Sequence, residues 1–155
     1  MTTQPDGLHF EDMPVGRVLH SPRAIRMERD RMVAFATEFD PQPAHLSDEA
    51  AAASQFGQFC ASGWHTGAVT MRLVTETLVI ANGGMGLGVD SLRWHRPVLA
   101  GDTLRVTIEV LAARPSRSQP GRGLVTMRTT TLNQHDQPVQ EFTSVVMMPL
   151  RGASA

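Results

Sequence analysis

Wound as a helix, residues 63–81 carry bulky apolar groups on nearly every side: Trp64, Val69, Met71, Leu73, Val74, Leu78, Val79 and Ile80. Only Arg72 and Glu76 are clearly charged. A helix without a polar face has to be buried, so the rest of the chain is expected to wrap it. Asn82, Gly83 and Gly84 supply a C-terminal stop, and everything after them reads as strands. The clearest is 104–110, where Leu104, Val106, Ile108 and Val110 alternate with Arg105, Thr107 and Glu109. Residues 87–95, 123–132 and 139–148 repeat the pattern more weakly. Pro97 with Gly101-Asp102, residues 115–121 and residues 133–137 mark the turns between them. The expected class is α+β, one buried helix against an antiparallel sheet.

The first half is less regular. Pro5, Gly7, Pro14 and Gly16 suggest an irregular lead-in, and Pro22 interrupts residues 17–25, leaving an edge strand or a broken one. From Glu28 the spacing of Met32, Phe35, Ala36 and Phe39 predicts a helix of about three turns with these groups on its apolar face. Pro41 and Pro43 end it and stiffen the loop from Asp40 to His45. Ser47, followed by Asp48 and Glu49, then caps a short alanine-rich helix running to about Ser54, closed by Gly57.

At 155 residues the chain is expected to form a single domain over 1–155, with its core within about 8–150. No run approaches the roughly 20 apolar residues of a membrane span, and the first residues lack a secretory pattern, so the expected location is cytoplasmic. Cys60 is the only cysteine, which argues against a disulfide framework or a zinc site, and no metal is expected. All 14 basic residues are arginine, which removes lysine Schiff-base chemistry. A net charge of -1, without a basic run or a tyrosine, speaks against nucleic-acid binding.

Asp40-Pro41-Gln42-Pro43-Ala44-His45 puts a carboxylate and an imidazole five residues apart on a proline-stiffened loop. Both could address one water, although the residues alone leave open whether Asp40 merely caps a turn. His9, His20, His95 and His135 have no comparable partner in the sequence. With Leu46 following, the segment resembles the D-x-N-P-x-H signature of the MaoC-like, (R)-specific enoyl-CoA hydratase and dehydratase family of the hotdog superfold. Ala61-Ser62-Gly63-Trp64-His65-Thr66 stands where that family opens its central helix with a glycine. Arg96-Pro97-Val98 through Gly101-Asp102-Thr103-Leu104 is similar to its P-V-x-x-G-D-x-L turn.

The resemblance implies a hotdog fold, a homodimer or higher homo-oligomer, and an acyl-CoA thioester substrate, with no cofactor beyond the coenzyme A that the substrate carries. It implies that Asp40 and His45 hold a water against C3 of a trans-2-enoyl thioester, while the Gly63 amide receives charge on the thioester oxygen. Gln42, Ser62, Trp64 and His65 are the expected substrate contacts around them, with Trp64 in the core or a tunnel wall. Arg93 and Arg96 are candidates for the coenzyme A phosphates. Two positions depart from the pattern: Gln42 replaces the usual asparagine, giving a longer and looser amide, and Met71 stands where some hydratases carry a serine that steadies the pair. Two alternatives stay open on the same fold, an acyl-CoA thioesterase and a non-catalytic acyl-binding subunit.

Overall fold

Every second side chain from Leu104 to Val110 is buried, as in a strand with one face on a core. In the computed structural model, which describes residues 7–153, this strand, β4 (Thr103–Pro115), lies inside an antiparallel sheet. Pro5 and the extreme ends of the 1–155 span lie outside the described residues. β5 (Arg122–Leu132) and β6 (Pro138–Pro149) follow in chain order, and β3 (Met85–Trp94) pairs with β6 at the far edge. On the other side of β4 lie β1 (Val18–His20) and β2 (Ile25–Arg26), two pieces of one strand broken around Pro22 as expected. The sheet order is β1-β4-β5-β6-β3, with β2 beside β4.

Among the described residues, three α-helices accompany the sheet: α1 (Arg29–Phe39), α2 (Asp48–Ala52) and α3 (Gly63–Thr77). α3 lays Thr66, Thr70 and Leu73, spaced four and three residues apart, against the sheet. Five methionines at 13, 27, 32, 127 and 148 are at most 1% exposed and fill the space around Leu104, Val106 and Ile108. Unbranched thioethers suit such an irregular interior. This helix wrapped by an antiparallel sheet is the hotdog fold.

Several expectations need correction. α3 stops at Thr77, not at residue 81, because the N-terminal segment competes for the backbone beyond it. Leu8 N–H donates to Val79 O at 2.7 Å, and Ala81 N–H donates to Leu8 O at 3.0 Å. Gly7 permits this approach, since a Cβ there would lie 2.5 Å from Ala81 N. The expected irregular lead-in thus contains a β-bridge at Leu8 and a 3₁₀ turn over Phe10–Asp12. α2 ends at Ala52, two residues early. Phe39 is 65% exposed, its ring leaning on Phe35 instead of entering the core. Nor is α3 buried all round: Trp64 and Met71 are 61% and 49% exposed. Along β3, Met85, Leu87 and Val89 are likewise exposed, so the apolar faces of α3 and β3 remain uncovered in a single chain.

Leu73 is fully buried between α3 and the sheet. Leu73→Ala is expected to cost about 2–5 kcal/mol, measured as a lower denaturant midpoint with an unchanged slope.

Candidate functional site

The two prolines ahead of His45 set the backbone that carries the site. Asp40 ends α1, its N–H donating to Ala36 O at 2.9 Å. The chain then turns through Gln42 N–H to Asp40 O at 2.8 Å into one 3₁₀ turn, Pro43–His45. Pro43 opens that turn with its torsion already preset. His45 is thereby carried inward and is only 4% exposed. Its Nδ1 lies 2.8 Å from Cys60 O. A carbonyl can only accept, so Nδ1 carries the hydrogen, and a ring with one hydrogen turns its Nε2 lone pair toward Asp40.

Nε2 and Asp40 Oδ2 are 3.6 Å apart, too far for a good direct hydrogen bond and suited to a water bound to both. The Asp40 carboxylate is firmly held. Ser62 Oγ–H donates to Oδ2 at 2.7 Å and Gln42 Nε2 donates to Oδ1 at 2.7 Å. The Ser62 hydrogen bond is the main reason its pKa lies below the usual carboxylate value. Gln42 and the nearby His45 lower it further, against the opposing effect of burial.

Ser62 also caps α3, its Oγ accepting from Trp64 N–H at 3.2 Å. Gly63 follows as the first residue of the helix, where the N–H has no intrahelical partner and the helix dipole is positive. Asp40, His45 and Gly63 all border one cleft of about 350 Å³. The indole of Trp94 lies over Gly63, so a Cβ there would meet Trp94 Cε2 at 2.6 Å. Trp94 Nε1–H is shared between Gly63 O at 3.1 Å and Gln140 Oε1 at 2.9 Å. Gln140 Nε2 donates to Thr70 Oγ1 at 3.2 Å, which in turn lies 2.7 Å from Thr131 Oγ1. This buried polar thread ties the cleft wall to the middle of the sheet.

The other expected site residues divide. Trp64 and Arg96 border the cleft, Trp64 as an exposed wall and not as core, with its ring edge-on to Trp94 at 5.2 Å. Gln42 borders it too, and its amide grips Asp40 instead of hanging loose. Ser62 does not contact the cleft: it is fully buried, and its hydroxyl is engaged with Asp40 and the helix cap. His65 turns away from the pair, stacks on Phe35 at 4.8 Å and lines a different cavity. Arg93 sits exposed on β3 across from Glu141 and does not border the cleft. Met71 lies about 12 Å along α3 from Gly63, so it is no neighbour of the acid and imidazole. The serine that steadies the carboxylate is Ser62. The sequence does not mark Trp94, Phe56 or Thr66 as cleft residues, and His95, without a partner in the sequence, also borders the cleft. The signal for Trp94 was its place two residues before Arg96-Pro97-Val98.

A family model described as "MaoC like domain" matches residues 11–133. The MaoC-like dehydratase from Rhodospirillum rubrum is 47% identical, with a TM-score of 0.89 over 95% of this chain and all of that one. An (R)-hydratase from Pseudomonas aeruginosa, solved unliganded, is 29% identical with a TM-score of 0.75, over 94% of this chain and 88% of that one. A Mycobacterium tuberculosis protein with a double hotdog fold shares the fold at 22% identity and a TM-score of 0.81. This chain is covered to 99% there and spans 47% of that longer chain.

Ser62→Ala removes the largest of the effects that lower the Asp40 pKa. A carboxyl with a depressed folded-state pKa adds stability above its unfolded pKa, and that stability is lost as pH falls through the folded value. The variant is therefore expected to titrate Asp40 at higher pH in carboxyl NMR and to be less stable above the unfolded carboxyl pKa, with the deficit fading as pH falls through the folded one. It should also lose about 0.5–2 kcal/mol at neutral pH from the helix cap.

Proposed function

The chain belongs to the MaoC-like domain family of hydratases and dehydratases, and on that premise we propose that it reversibly hydrates a trans-2-enoyl-CoA to a 3-hydroxyacyl-CoA. The observation that carries this reading is the 3.6 Å approach of His45 Nε2 to Asp40 Oδ2 on a cleft that Gly63, the first residue of α3, also borders. A water between these two atoms donates one hydrogen to the carboxylate and the other to the imidazole lone pair, and aims an oxygen lone pair outward at C3. Asp40, held ionised by Ser62 and Gln42, orients; His45 takes the proton as the C3–O bond forms. The π electrons of the C2–C3 bond move onto the thioester, giving an enolate whose oxygen accepts from Gly63 N–H. Proton return from the pair to C2 restores the thioester and leaves the site ready for another water. The reading asks for no cofactor beyond the coenzyme A of the substrate, and Arg96, whose Nε donates to Pro138 O at 3.0 Å, forms part of the cleft wall.

The thioesterase alternative asks for a free carboxylate on the central helix. α3 has only Glu76, which accepts from both Arg23 and Arg72 and has its pKa pulled down to about 2, mainly by those hydrogen bonds. It also lies outside the cleft. The departures at Gln42 and Met71 give little support to a non-catalytic subunit, because Gln42 and Ser62 together hold the Asp40 carboxylate.

A second copy of the chain is the partner we propose for the exposed apolar faces of α3 and β3. These faces flank a groove of about 730 Å³ lined by residues such as Met71, Val74, Leu87 and Val89. The double hotdog relative, of which this chain spans 47%, supports the pairing of two such units. No helix among the described residues is long and apolar enough to cross a membrane.

Mixing the protein with trans-2-enoyl-CoAs of several chain lengths should deplete the conjugated enoyl absorbance. Asp40→Asn and His45→Ala should each lower the rate at least about 100-fold with the circular dichroism spectrum kept. Release of free thiol from a saturated acyl-CoA, or equal rates in the variants, would remove the reading. Sedimentation should give a dimer, shifted toward monomer by Leu87→Asp, which puts a charge on the apolar edge.

A further inference from the structure

A second cavity, of about 490 Å³, opens along α1 and α3 and shares no residue with the cleft of Asp40 and His45. In a chain whose cations are all arginine, four of the 14 gather on it: Arg23, Arg26, Arg31 and Arg72. The nearby carboxylates leave this charge only partly balanced. Glu28 engages Arg26 at 3.1 Å, and Glu76 serves Arg23 and Arg72 together. Arg31 enters no ion pair among the described residues.

The floor of the cavity is aromatic and apolar. Phe35 and His65 stack at 4.8 Å with planes 8° apart, beside Ile25 and Val69. His65 is 8% exposed, and its Nδ1 has no hydrogen-bond partner among the described residues. Burial, followed by the charge of Arg31, lowers the His65 pKa, so the ring is held in its neutral form. An unpartnered polar atom in such a place is costly unless something completes it. Three features therefore coincide: surplus guanidinium groups at the rim, an aromatic lining, and an imidazole lacking a partner.

We propose that this cavity is a binding site for a nucleotide, with its phosphates on Arg31 and the neighbouring guanidinium groups and its flat base against the Phe35–His65 floor. Planar guanidinium groups match phosphate oxygens two at a time, which makes arginine the natural cation for this task. Two sources share the chemistry: the phosphorylated nucleotide end of the thioester carrier, and a free nucleotide. The carrier as source rests on the hydratase reading above. From Arg31 to Asp40 is nine residues of helix, about 13 Å, a distance an extended pantetheine arm spans.

The purified full chain can be titrated calorimetrically with adenosine 3′,5′-bisphosphate, ADP and inorganic pyrophosphate at low and high salt. The nucleotides should bind, more weakly as salt rises. Arg31→Gln, which breaks no ion pair among the described residues, should weaken them roughly 10- to 100-fold. Arg96→Gln, in the other cleft, should leave them unchanged. If bound nucleotide competes with enoyl-CoA during turnover, the carrier is the source; if it binds without competing, the source is a free nucleotide. Absence of nucleotide binding, or binding that falls in Arg96→Gln and persists in Arg31→Gln, overturns the proposal. Direct binding needs no turnover, so a failure of the hydratase reading is read separately.

Discussion

One buried hydroxyl joins the two halves of the site. Ser62 donates its hydrogen to Asp40 at the end of α1 while its oxygen receives the amide of Trp64 at the start of α3. The first bond keeps the carboxylate ionised and fixes which oxygen faces His45. The second fixes where the helix begins, and therefore where the Gly63 amide points. A fully buried serine has no water to compete for these bonds, so both are held in a medium where polar contacts are strong. Displacing it would move the acid and the amide independently, and the proposed hydration depends on the distance between them.

The second half of the fold was legible because its strands obey a period of two and its turns are punctuated by Pro, Gly, Asn and Asp. All four expected strands are present with ends shifted by a few residues at most. The Asp-Pro-Gln-Pro-Ala-His segment was equally readable, since two prolines leave few backbone choices. The far end of α3 was not. Whether residues 78–81 stay helical depends on a strand-like contact with Leu8, some 70 residues away in sequence, and local propensity carries no record of it. The roles of Ser62 and His65 were hidden for a related reason. Three residues apart at a helix start, they diverge because one is the cap and the other lies a turn into the helix, on the side facing Phe35.

Hydropathy misled in a more instructive way. The all-round apolar character of residues 63–81 predicts burial within one chain, yet Trp64, Met71, Val79 and most of β3 stand open. Meanwhile the face of α3 that does meet the sheet is partly polar, with Thr66 and Thr70 buried beside Gln140 and Thr131. Apolar residues facing outward and threonines facing inward reverse the usual order of a monomeric helix. The reversal is physically consistent if the outer face is covered by another polypeptide surface, because then both faces are interior.

That inward polar thread has its own consequence. Thr131, Thr70, Gln140 and Trp94 form a continuous chain of hydrogen bonds from the C-terminal end of β5, through α3 and β6, to an indole lying on Gly63. Apolar contacts alone would let α3 slide or roll against the sheet with little change in area. Directional bonds at 2.7–3.2 Å do not, and a network without an unsatisfied member defines one register. The polar core thus fixes where the helix sits, and with it the amide at its start. The acid and imidazole are positioned separately by the proline-stiffened loop. Ser62, bonded to both parts, brings these two independently fixed pieces together.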